Sequence, residues 1–299
     1  VWNLQAQSQT HVHSLKGLVV MFKLEKTEGA LLGVVLALLT VAIFGPFVAQ
    51  PGYSHGFVDQ RSWWGIACAM DVLSNLPFAL LGLIGLVCLS SHRRQIPLAQ
   101  RGLATLFFIG LAVTAAASSW YHSQADDAGL AIDRLGMVVA FAGLLGLAAA
   151  DRISARAGVA LGLAVLVLGP LSVAVWFASG NVLAWAALQF GGMALVLWLA
   201  FVKPVPGALA VRWGWVILIY AVAKIFEQAD EAVYALSSQL VSGHSIKHVV
   251  ASFAALPVIA AILDLGKYRA ESASPFRTGS ANRAASRADR ITTAKRSEA

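Results

Sequence analysis

Eight stretches of this chain, at 29–50, 72–90, 101–121, 129–150, 157–179, 183–202, 213–236 and 244–265, are each about 20 residues long and almost wholly apolar. A run of that length spans the hydrocarbon core of a bilayer as a helix, at 1.5 Å of rise per residue. Lipid offers no hydrogen bonds, so the backbone must satisfy itself, and helices are the default. Barrel strands would show period-two alternation, and none is present. Composition agrees: 58% of residues are hydrophobic and only 12% charged, about half the charge of a soluble domain. The expected fold class is therefore an all-α membrane protein, a seven-transmembrane-helix bundle plus one extra N-terminal helix, making eight spans.

The ends divide off by composition. Residues 1–28 form a polar segment in which Met21 offers a possible start, leaving His11 and His13 without a role. The run at 29–50 reads as an uncleaved extra helix, since it is long, ends at Pro46 and Pro51, and lacks a small-x-small cleavage site. A main domain is expected over 59–266, and 267–299 reads as a basic disordered tail rich in Ser, Ala and Arg. The net charge of +7 falls in loops and tail, which points to an orientation signal and not to a nucleic-acid surface. His92-Arg93-Arg94 with Arg101, Arg152 with Arg156, Lys203 with Arg212, and the tail all lie on one side of an eight-span topology. The loops at 51–70, 123–128, 180–182 and 237–243 hold only Arg61. Both termini are thus expected to be cytoplasmic.

That topology gathers the polar residues of the spans. His122 ends the third span, Asp133 lies in the first turns of the fourth, and His244 and His248 open the eighth, so all four belong to the non-cytoplasmic side. Residues four apart share a helix face, so His244 and His248 can ligate one ion together. Ser118 stands one turn deeper than His122 on its helix. Three imidazoles with an open fourth position form the ligand set of a catalytic zinc site. The bland alternative, histidines hydrogen-bonded at the membrane interface, explains one such residue better than three beside a carboxylate and a serine. No Cys-x-x-Cys occurs, and Cys68 and Cys88 lie too far apart on one expected helix to pair. Asp71, Ser74 and Asn75 open the second span, where either helix capping or support of the site would use them. In the seventh span Lys224 and Glu227 can pair at i, i+3, and Asp230 is the carboxylate best placed to touch the site.

Ser118-x-x-x-His122 followed by Asp133, and His244-x-x-x-His248 opening the last helix, resemble the alkaline ceramidase family. That family belongs to a wider superfamily of seven-helix membrane hydrolases that includes the adiponectin-type receptors. Val72-Leu73-Ser74-Asn75-Leu76, Ile132-Asp133-Arg134-Leu135-Gly136-Met137 and the Asp230 region also look like its signatures, so the likeness covers about 59–266. The resemblance implies Zn2+ held by His122, His244 and His248, with Ser118 and Asp133 as catalytic residues beside it. Two departures stand out. The stretch Asp59-Gln60-Arg61-Ser62-Trp63-Trp64 lacks most carboxylates of the family's calcium-binding segment, and Cys68 falls where a glutamate is expected, which argues against a calcium site. Asp71 stands where the family has asparagine.

The function expected from these parts is zinc-dependent hydrolysis of the N-acyl bond of ceramide or a related amide-linked membrane lipid. A heptahelical receptor-like protein or a metal or ion carrier is the alternative, and Asp133 discriminates, since neither needs a carboxylate beside the metal.

Overall fold

The computed structural model describes residues 24–50 and 55–273; Met21, His11, His13 and the tail from 274 onward lie outside the described residues. Within them the chain is all-helical, as the apolar runs require. The order is α1 (Lys26–Phe44), α2 (Ala69–Leu73), α3 (Leu76–His92), α4 (Leu98–Ser123), α5 (Asp127–Arg152), α6 (Ala155–Ser179), α7 (Leu183–Ala200), α8 (Trp213–Gln228), α9 (Asp230–Leu236), α10 (Gly243–Ser252) and α11 (Leu256–Ala273). A 3-10 turn, Phe253–Ala255, joins α10 to α11 into one continuous rod. Helices α2 and α3 likewise make one apolar span. Among the described residues, seven spans are long and apolar enough to cross a membrane. The first seven residues of the expected tail continue α11 to Ala273.

The seventh expected span, 213–236, departs from expectation. It breaks at Ala229 into helices of 16 and 7 residues, and neither piece alone has the length of the other spans. No Pro or Gly lies near the break to announce it. Its cause is tertiary. An Oδ1 of Asp230 accepts the backbone N–H of His244 at 2.8 Å, so the carboxylate caps the start of α10 and not a helix of its own. Gly243 makes the approach possible: a Cβ there would stand 2.3 Å from the Phe226 carbonyl oxygen and 2.8 Å from the Asp230 Cα.

The centre of the bundle is the α4–α5 pair. Small residues let the two backbones touch, which is how helices pack where lipid is as apolar as leucine. A Cβ on Gly110 would sit 2.3 Å from the Ala140 nitrogen, and one on Gly143 would sit 2.2 Å from the Phe107 nitrogen. The turn between these helices, 124–126, is short, and Asp126 caps α5 by accepting the Gly129 N–H. These constraints fix His122, at the end of α4, against the opening turns of α5. Helix α1 is peripheral, with most of its surface outward. It leans on α7, where Leu38 fills the space over Gly191, and is tied to α6 by Glu28 with Arg156 and Ser154.

Candidate metal centre and adjoining cavity

Two helices bring the predicted histidines together. His122 comes from the last turn of α4, and His244 and His248 come one turn apart on α10. Their candidate ligand nitrogens all lie within 4.8 Å of one another, and the three ring centroids are 4.8–5.0 Å apart. The Nε2 atoms of His122 and His244 are 3.3 Å apart. Tetrahedral zinc, with Zn–N bonds of about 2.0–2.1 Å, sets neighbouring nitrogens about 3.3 Å apart. The pair already has that spacing.

The surroundings prepare the imidazoles for a metal. Ser74 has one hydroxyl proton, and its Oγ lies 2.8 Å from the Asp71 carbonyl oxygen, an acceptor only. The same Oγ is 2.9 Å from Nδ1 of His248, so there it accepts, and Nδ1 carries the proton. The lone pair of His248 is thereby assigned to Nε2, facing the other rings. His122 is 2% exposed and its Nδ1 has no hydrogen-bond partner, so its polarity is not spent on the surrounding protein. Three converging nitrogens, with the Nδ1 proton of His248 leaving its Nε2 free, fit a bound divalent cation.

The remaining predicted residues fall around this centre. Asp71 is fully buried, and its Oδ1 accepts from Ser245 at 2.6 Å and Ser242 at 3.2 Å, tying the start of α2 to the start of α10. Asn75 donates from Nδ2 to the Asp71 carbonyl at 3.0 Å. Neither Asp71, Ser74 nor Asn75 caps a helix with its side chain; Ser74 instead contacts His248, and Asp71 the serines that open α10. Asp230 reaches the site through the backbone of His244, as described above.

Ser118 and Asp133 meet across the α4–α5 seam, where the serine hydroxyl donates to the carboxylate. With His248 they line a cavity of about 120 Å³ running into the bundle. Helical spacing makes its walls: Phe107, Leu111, Thr114 and Ser118 from α4, and Asp133, Met137, Ala140 and Leu144 from α5. The far wall holds a polar group only half legible in the sequence. Lys224 pairs with Glu227 as the i, i+3 spacing predicts, and Lys247 of α10 joins them, its Nζ 2.9 Å from the Glu227 Oε1. The available signal for Lys247 was its place three residues after His244, on the same face.

The segment before α2 covers the centre from outside the bundle. Phe57 is buried and lays its ring on His122, 4.4 Å between centroids, and on His244 at 5.4 Å. His55 contacts the Tyr121 hydroxyl and Asp127, each at 3.1 Å. Asp59 is buried against Arg61, whose guanidinium donates to both carboxylate oxygens and to the Leu240 carbonyl. That pairing holds the Asp59 carboxyl below the usual carboxylate range. Its oxygens are thus engaged by a cation of the chain. Cys68, where the family resemblance expects a glutamate, is a free thiol that burial pushes up. Periodicity could not find Phe57, because it lies in irregular chain between spans.

No protein-family model and no curated protein sequence matches the chain.

Proposed function

We propose that this chain is a zinc-dependent amidase of the membrane, related to the alkaline ceramidases, that cleaves the N-acyl bond of ceramide or a similar amide-linked lipid. The observation that carries the reading is a cluster of three imidazoles, one of which, His248, shares the wall of an intramembrane cavity with a serine–carboxylate pair. A receptor or a carrier has no use for that pair. When bound, zinc supplies an activated water near neutral pH and polarises a carbonyl. His122, His244 and His248 would hold it. Asp133 would accept the water proton and return it to the leaving amine. Ser118 would donate a hydrogen bond to the oxygen on which negative charge develops. Phe57 keeps bulk water from the imidazoles, and the cavity takes the lipid from within the bilayer. With Lys and Arg concentrated in alternate loops, both termini are assigned to the cytoplasm and the centre to the opposite face.

The test is zinc content of detergent-purified protein, wild type beside His248→Ala, followed by incubation of the zinc-loaded protein with ceramide and other N-acyl lipids. About one zinc per chain in the wild type, lost in the variant, with release of fatty acid, supports the proposal. A zinc-loaded, folded protein that leaves every amide lipid intact ends it.

A further inference from the structure

The amidase mechanism leaves one charged cluster on the cavity wall unused. Lys224 and Lys247 both pair with Glu227, so two ammonium groups share one carboxylate. The side chains are partly accessible, 23%, 20% and 25% exposed respectively, and all three line the same cavity as His248 and Asp133. Lysines within a membrane bundle are costly and are retained where they meet a partner or a ligand. One glutamate balances one of them. The trio by itself therefore carries a net positive charge, and the other carboxylate on the cavity lining, Asp133, accepts from Ser118. The neighbouring wall adds donors: the Tyr220 hydroxyl accepts from Gln189 Nε2 at 2.8 Å, which leaves its own O–H to donate.

Position tells what this charge can reach. Lys247 precedes His248 and follows His244 by three residues on α10, and its field acts on Asp133 and on all three imidazoles. A substrate amide held at Ser118 and Asp133 would lie in the same cavity as the two lysines. The hydroxyls of a neutral N-acyl amine leave that charge unanswered. A carboxylate answers it with charge-assisted hydrogen bonds.

We propose, building on the amidase reading, that the substrates are N-acyl lipids whose amine portion carries an anionic group close to the amide, as in N-acyl amino acids, with Lys247 and Lys224 as the residues that select them. Hydrolysis breaks the amide C–N bond, forms a C–O bond to the water oxygen, and delivers the water proton to the leaving nitrogen. The products are a fatty acid and a free amino acid.

Two probes with the same chain separate the possibilities: N-oleoylglycine, which is anionic, and N-oleoylethanolamine, which is neutral. Binding to the detergent-solubilised full chain is measured first after metal removal and then with zinc, alongside cleavage. The wild type should bind the anionic probe about tenfold more tightly or better, equivalent to about 1.4 kcal/mol or more. Lys247→Met should bring the two affinities within about twofold, Lys224→Met should narrow the gap, and Lys247→Arg should preserve it. Glu227 keeps a lysine partner in each single variant, so no carboxylate is stranded. Equal affinities in the wild type, or a preference unchanged in both Met variants, overturn the inference. Anionic preference without cleavage of either probe overturns the amidase reading and leaves the anion site standing. Cleavage of both probes with equal affinity does the reverse.

Discussion

Two aspartates, Asp71 and Asp151, are both wholly buried, at opposite ends of the bundle, and they are held in different ways. Both oxygens of Asp151 are taken: it accepts from the backbone of Ala210 and Val211 and from the Trp213 indole, and Arg152 stands beside it at 3.2 Å. Arg152 in turn donates to the carbonyls of Val202 and Val211. This cluster sews the loop between α7 and α8 to the end of α5. Asp71 is met only by serine hydroxyls, and its Oδ2 has no partner. Orphaned polar atoms also occur nearby on Asn75, Thr114 and His122, whereas the Asp151 cluster leaves one, Nε of Arg152. Buried polar groups that close on one another hold a fold, whereas groups left open mark where a fold has been kept available for a ligand.

The comparison is sharpest under mutation. Asp151→Ala strands a buried guanidinium and three donors, and should cost about 3–5 kcal/mol. Thermal unfolding in detergent should show a large loss, while zinc per folded chain stays unchanged. An unaltered melting temperature would break the contrast between the two ends. Ser74→Ala should do the opposite. Its hydroxyl sets the tautomer of His248, so zinc affinity should fall about 10–100-fold in a competition titration, with a stability change of only about 1 kcal/mol.

The smallest effect concerns the segment over the centre. The Asp59 carboxyl is depressed by Arg61, so the stability it gives is present above the unfolded carboxylate value and is lost as pH falls through the lower folded one. Protease resistance of 55–68 should hold at about pH 5 and weaken only below about pH 4. Loss of resistance already near pH 6 would mean that another contact secures it.

Why some of this was legible in the sequence, and some not, follows from the range of the forces involved. Seven of the eight spans, and the approach of His244 to His248, depend on helix period alone and are found as expected. The alternating loops also placed His122 at the same end as α10. The break at Ala229 was invisible because its cause, the Asp230 cap on His244, joins residues that belong to different helices. The pairing of Lys247 was not legible because its partner Glu227 is 20 residues away. Asp151 gave no signal, since its ligands are backbone groups of a loop.

The Gly110 and Gly143 contacts carry one more consequence. They lock α4 to α5, so His122, Ser118 and Asp133 share one rigid body. His244 and His248 ride on α10, which packs against α8. The three nitrogens therefore straddle a seam, and an ion seated among them would act as a rivet between two halves that otherwise meet there through side chains alone. Under the proposed function, an ion bound there would couple the position of α10 to that of the α4–α5 pair.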